Sequence, residues 1–404
     1  MNLYELLNYG LSLIEEGKTS EAGIAHAKSW FNKEKVLFIS NENIEKFTLA
    51  IEHIYNINEK IYTRFTRQKI YKFVEEELVK QKKSNNTFTE KTSKDFFQLF
   101  EEQKPYSRCI IAPISGIRLD NVNKINISIF EIGKANQLKS ILSNDIDGYY
   151  IAVGIDNIYD DLIAIEEAKN KFLDFIRLIV FLSGKNDKKI LIKTGLPSYP
   201  SISHEQMYVE TSSYHIAENI HEEFPSSQMN NIYLEKIPVD NPFFCKHENF
   251  LKIWDIYEKK SSAKNISKME SRLLNASIAI GESALSKNIK NSIIYTSMAF
   301  EILFSFDEGS LFQKSIGDRL ADTFAFVIAK DKETRLNAIK SVKEFYRLRS
   351  ALVHGGDRKM NNDYIVFNSL LSTVISELLN NEKYKNIKNI DNLYAMVKEA
   401  QNSY

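Results

Sequence analysis

Glycine and proline are both scarce in this chain, 14 and 7 residues among 404, against average usage of roughly 7% and 5%. So few turn formers exclude an all-β fold of many short hairpins and favour long helices. Cysteine is scarcer still: only Cys109 and Cys245 occur, too few for a disulfide framework, and the expected compartment is a reducing cytoplasm. Long hydrophobic runs are missing as well. The most apolar stretch, FIRLIVFLSG from Phe175, is short and carries Arg177, so no membrane span is expected. The opening MNLYELLNYG lacks the positive-then-apolar pattern of an export signal. Net charge is absent too, 53 Lys plus Arg balancing 53 Asp plus Glu, which excludes a generally basic nucleic-acid wrapper and an acidic disordered chain.

What is present is core-forming material: 43% of the residues are hydrophobic and 12% aromatic, enough for two or three globular domains. Residues 1–82 read as helical, with Leu3, Leu6, Leu7 and Leu11, then Phe47, Ile51, Ile54 and Tyr55, recurring at helical spacing. The polar segment KKSNNTFTEKTSK from Lys82 reads as a linker. Over 96–245 the texture changes to short β-branched or aromatic runs, RCIIAPISGIRL, KINISIFEI, GYYIAVGI, KKILIKTG, QMYVETSS and NIYLEKI, with one helical stretch from about 160 to 183. From 246 to 404 only helical patterns follow, six or seven of roughly 12 to 22 residues. The expected fold is therefore α+β and multidomain: N-terminal helices, a middle mixed α/β domain, and a C-terminal all-helical bundle.

The usual chemical signatures are missing. No GxxxxGK[ST] or GxGxxG loop is present, so no nucleotide or dinucleotide cofactor is expected. Cys245 and His247 form a lone CxH without a second ligand pair, and no metal site is expected. No GxSxG elbow occurs. Of the seven histidines, six have ordinary polar or amphipathic surroundings; His204, His215 and His221 are close in sequence but at no metal-helix spacing. His354 differs in its company.

Residues 335–359 contain Arg335, Lys340, Lys343, Arg347, Arg349, Arg358 and Lys359 against Glu344 and Asp357. Such an excess attracts phosphate, although most charge runs are solvated helix faces. At about 100° per residue, Ile339, Val342, Phe345, Tyr346, Leu352 and Val353 form one apolar arc with Arg349 near its middle. A guanidinium there must meet a carboxylate, a second chain or a bound anion. Arg347 and His354 project onto nearly the same flank, whereas Arg349 and His354 differ by about 140°. Gly355 and Gly356 mark a helix end directly after the histidine.

FYRLRSALVHGG, residues 345–356, resembles the Arg-x4-His signature of HEPN domains, here from Arg349 to His354. The surrounding Tyr, Arg-Ser and His-Gly are similar to the Apea-like branch, and upstream MAFEILF, residues 298–304, resembles the hydrophobic helix with one acid that precedes the signature there. The resemblance covers about 292–379. Two features depart from it: Ser350 stands where many catalytic members have Asn, Asp or His, and Arg347 also offers an Arg-x6-His reading. The resemblance implies a C-terminal HEPN-like bundle that forms a homodimer, with Arg and His of two chains facing one cleft where catalytic members cut RNA without metal. It further implies antiviral or toxin use, with residues before about 246 sensing an unidentified trigger or positioning RNA.

The residues suit that chemistry. Cleavage by the ribose 2′-hydroxyl needs a proton acceptor, a donor to the departing 5′-oxygen, and cations for the pentavalent phosphate. His354 and its symmetry mate would supply the first two and Arg349 the third. Glu301, in a helix apolar nearly all round, needs a buried cation such as Arg349 or Arg319, and a structural or orienting role suits it better than catalysis. Tyr346 reads as core that could also touch phosphate or stack on a base, and Ser350 as an ordinary helical serine. The alternatives are a non-catalytic HEPN module that binds RNA or nucleotide or scaffolds a partner, and a helical interaction protein in which Arg349 only pairs with Glu301.

Overall fold

The computed structural model describes residues 1–18, 26–32, 35–138, 148–184, 190–195, 203–204, 207–216, 226–306, 315–355 and 362–402. The chain divides into two compact units, Met1–Ile110 with Gly154–Lys169, and Ile111–Val153 with Asn170–Tyr404.

In the first unit, α1 (Leu3–Ser12), α2 (Ile44–Asn56), α3 (Glu59–Tyr62), α4 (Arg67–Lys83), α5 (Glu90–Lys94) and α6 (Gln98–Glu101) surround one apolar cluster. Leu7, Ile51, Ile54, Ile70, Val74 and Leu78 meet there because their helical spacing places them on single faces. Asn2 and Glu5 form a capping box that starts α1. The helical reading of 1–82 needs a correction: β1 (Glu15–Lys18), β2 (His26–Asn32) and β3 (Lys35–Ser40) form an antiparallel sheet in the order β1-β3-β2. Helical periodicity exists only on either side of it, and the β-branched Val36 and Ile39, both fully buried, suit a strand.

The expected linker is also corrected. Phe88 is buried, and Asn8 grips its backbone twice, donating to the carbonyl and accepting from the N–H, both at 3.1 Å. The Phe88 ring packs on Phe96, which packs on Phe97 and Phe73. One aromatic anchor fixes a polar stretch that has no apolar period. The later segment of this unit is tied in by Asp160, whose Oδ2 accepts from the Thr66 N–H at 2.8 Å and hydroxyl at 2.6 Å.

The runs read as strands contain strands, KKILIKTG only at Lys193–Thr194 among its described residues: β4 (Tyr106–Ser115), β5 (Ile117–Arg118), β6 (Lys124–Ile127), β7 (Phe130–Lys134), β8 (Tyr149–Ile158), β9 (Lys193–Thr194), β10 (Ser203–His204), β11 (Met207–Ile216), β12 (Ser226–Glu235) and β13 (Ile237–Pro238). KINISIFEI splits into the β6-β7 hairpin at Ser128, which adopts φ 54°. The largest sheet has the order β6-β7-β8-β4-β9. The division between units runs through β4, β8 and α7 (Asp161–Ser183).

From Pro242 every described element is helical: α8 (Pro242–Cys245), α9 (Glu248–Ser261), α10 (Lys268–Leu285), α11 (Ile289–Phe304), α12 (Ile316–Ile328), α13 (Lys332–Val353), α14 (Asp363–Asn380) and α15 (Ile390–Asn402), with one 3₁₀ turn at Glu382–Tyr384. These helices share the second unit with most of the sheet, because the aromatic core is continuous: Trp254 of α9 packs on Phe130 of β7 and Phe175 of α7. Gly281 of α10 approaches α7 so closely that a Cβ would lie 2.0 Å from the Arg177 carbonyl oxygen. Within the helical part, Phe300 of α11 touches Phe324, Phe345 and Phe367 of α12, α13 and α14. A buried polar knot fixes α10, α11 and α14 in register: the Asn368 amide donates to the Ser283 hydroxyl at 3.0 Å and accepts from the Thr296 hydroxyl at 2.8 Å. Among the described residues no helix is long and apolar enough to cross a membrane.

Candidate active site

Two helices build the site. α13 begins at a capping box between Asp331 and Thr334 and runs 22 residues. It stops where His354, the C-cap, is followed by Gly355 at φ 78°, a backbone conformation that favours glycine. The apolar arc holds α13 down through Val342, Phe345 and Leu352, all buried, while Val353 is 49% exposed and does not belong to that arc. Arg349 falls between these buried positions, as the helical projection requires.

α11 supplies Glu301 directly opposite. One carboxylate oxygen, Oε1, accepts from the Tyr346 hydroxyl at 2.9 Å and lies 3.2 Å from Arg349 Nη2. The Arg349 guanidinium also sits over the Tyr346 ring, 5.6 Å from its centroid. Of the two cations open to Glu301 in the sequence, Arg349 is the one beside it; Arg319 donates instead to the Phe306 carbonyl. The pair is partly exposed, at 26% and 31% of the side-chain surfaces, so its attraction is screened. Arg349 Nε is buried and has no hydrogen-bond partner among the described residues. Gly317 of α12 packs against the Tyr346 ring, where an added Cβ would stand 3.2 Å from Cδ1.

Burial, then the hydrogen bond to Glu301 and its charge, push the Tyr346 phenol up to about 12, against the opposing pull of Arg349. The protonated phenol makes this bond, so the stability it adds is fully present below the ordinary tyrosine value of 10.0 and is lost as pH rises through about 12. The melting-temperature gap between wild type and Tyr346→Phe should therefore shrink across that interval; a gap unchanged by alkali would refute this account of Tyr346.

His354 is exposed, its backbone N–H donating to the Ser350 carbonyl at 3.1 Å, and no hydrogen bond or ion pair to its imidazole occurs among the described residues. Arg347 is exposed on the same flank, and Ser350 is half-buried. The structure thus brings Glu301, Tyr346 and Arg349 together, and within one chain it records no contact between Arg349 and His354. Lys343 is engaged by Asp318 at 2.5 Å. Gly356, Arg358 and Lys359 lie outside the described residues. Glu301 also lines an open cleft of about 540 Å³ with Lys268, Ser271, Arg272, Ile302 and Ser305. The sequence gives no sign of that neighbourhood, because α10 reaches Glu301 only through the tertiary fold.

The remaining sequence candidates have other places. His247 caps α9, its Nδ1 accepting from the Asn249 N–H at 3.2 Å. The side chains of His204 and His215, and all of His221, lie outside the description. Among the described residues no cluster of His, Cys, Asp and Glu is arranged to hold a metal ion. Compared with known proteins, the chain matches no family model, no curated protein and no solved structure. The functional reading therefore rests on the residues themselves.

Proposed function

We propose that this protein is a metal-independent endoribonuclease of the HEPN, Apea-like kind, acting as a homodimer in the cytoplasm in antiviral defence or as a toxin. The observation that carries the reading is an exposed imidazole at the end of α13, without a partner among the described residues, on the helix whose inner face holds Arg349 against Glu301. In this reading His354 accepts the 2′-hydroxyl proton or donates to the 5′-oxygen, and Arg349 neutralises the phosphorane. Glu301 and Tyr346 position the guanidinium, and Ser350 is an ordinary helical residue. Arg349 and His354 diverge by about 140° around an ideal helix, so the Arg349 of one protomer serves the imidazole of the other. Residues of the first unit and of the sheet restrain or trigger the nuclease.

The Glu301–Arg349 pair favours a second reading as well, a non-catalytic module in which the same contact clamps α11 to α13 and RNA or nucleotide is only bound. Incubation of purified protein with single-stranded RNA in EDTA separates the two. The nuclease reading expects products with 2′,3′-cyclic phosphate ends, lost in His354→Ala and Arg349→Ala. Intact RNA that is nevertheless retained selects the module, and intact unbound RNA with both substitutions merely lowering the melting temperature selects a structural clamp.

A further inference from the structure

The outer face of α13 is not accounted for by the site on its inner face. With His354 set at zero, Leu336 projects to the same azimuth, Arg347 to about 20°, and Lys340 and Lys332 to about 40° on either side. All five side chains are exposed, and among the described residues no ion pair joins Lys332, Lys340 or Arg347 to any acid. The acids of this helix flank, Glu333 and Glu344, project about 60° and 80° from His354, to one side of the row. Lys343, which lies near the same azimuth, is held by Asp318 instead.

Helix stability does not explain the pattern. Lys332 occupies the first helical position, where a cation opposes the helix dipole. Lys340 and Glu344 stand at the spacing of a helical ion pair and do not make one. Solubility does not require a single row either, since the chain as a whole has equal numbers of the two signs. The row spans about 33 Å at 1.5 Å per residue and ends on the imidazole, with cations about 10–12 Å apart along the axis. Long flexible Lys and Arg side chains at that interval suit a polyanion lying lengthwise, and they carry no geometry for reading base edges.

We propose that Lys332, Lys340 and Arg347 form a track on the outer face of α13 that binds the phosphate backbone of single-stranded RNA without sequence preference and leads it to His354. This rests on the ribonuclease reading and names the substrate form. Attack by the 2′-oxygen requires it to stand opposite the departing 5′-oxygen, which a loose strand reaches more readily than a stacked duplex. Leu336, 58% exposed between the cations, gives a ribose or base an apolar surface.

The test measures anisotropy of labelled single-stranded RNAs of unrelated sequence on full-length protein carrying His354→Ala to prevent cleavage, across a salt series. Removing the three charges by Lys332→Gln, Lys340→Gln and Arg347→Gln should lower the slope of log affinity against log salt by about 2, at about 0.7 per phosphate contact on a single strand. The affinity of the His354→Ala parent would then fall about 20-fold more than the track variant's between 50 and 200 mM salt, equally for all sequences, with an unchanged melting temperature. A control with the same charge loss at exposed Lys246, Lys264 and Lys388 should keep the parent slope. RNA binding with the parent slope in the track variant overturns the track while leaving the nuclease reading standing, as does an equal loss in the control. Absence of both binding and cleavage in the unmodified protein overturns both.

Discussion

Replacing His354 with alanine is expected to reduce RNA cleavage by about 10²- to 10⁴-fold, the range for removing one positioned proton-transfer group, and to leave the melting temperature where it is. The imidazole is exposed, and the helix end depends on the His354 backbone N–H and on Gly355, which the substitution keeps. Arg349→Ala should be as inactive and also less stable, since Glu301 then retains only the Tyr346 hydroxyl. Mixing the two variants adds a stricter test. If the guanidinium of one chain serves the imidazole of the other, a heterodimer keeps one such pair across the two-fold axis but only one of the two imidazoles, and an equal mixture should exceed either variant alone while staying below a quarter of wild-type activity. A mixture no more active than the separate variants would refute the pairing of Arg349 with the imidazole of the other chain. In cells, induced wild type should arrest growth and His354→Ala should not.

The largest effect on stability is expected from Gly281→Ala. The added carbon would stand 2.0 Å from the Arg177 carbonyl oxygen and 2.6 Å from its carbonyl carbon, both backbone, so no side-chain rotation relieves the overlap. α7 and α10 must move apart, and the Arg177–Glu282 ion pair next to the contact is strained with them. Overpacking costs about 1–3 kcal/mol and sometimes more, while alanine recovers up to about 1 kcal/mol of helix propensity. A backbone clash this short lies at the upper end, for a net loss of about 2–4 kcal/mol and a melting temperature lower by about 3–7 °C. Gly154→Ala, where nothing lies within 4 Å of the new carbon, serves as the contrast and should be neutral or mildly stabilising. Equal melting temperatures for the two variants would show that the α7–α10 approach is not a tight contact in solution.

α13 was legible from one sequence because its signals are local: an apolar period, a charged outer face, and a glycine after the histidine. The need of Glu301 for a cation was legible too, from the apolar character of α11, but the choice of Arg349 over Arg319 depends on where α12 lies. The basic row begins at Lys332, outside the 335–359 charge window, and only its seven- and eight-residue steps to Lys340, Arg347 and His354 would have joined it to the rest. The β1–β3 sheet was missed because strand pairing is non-local and its flanks carry strong helical periods. Residues 82–94 were misread because polarity signals a linker, whereas the single buried ring of Phe88, whose backbone is held by Asn8 eighty positions earlier, decides the matter.

The discontinuity of the first unit has a consequence during synthesis. Residues up to Ile110 leave the ribosome about 60 residues ahead of the end of the segment, Gly154–Lys169, that completes their fold. At about 5–20 residues per second, that is a wait of roughly 3–12 s. Throughout it Thr66 lacks the carboxylate of Asp160, and the nascent chain carries an unfinished core. The α13 helix emerges only after this wait has ended, so the first unit can close before the C-terminal helices exist.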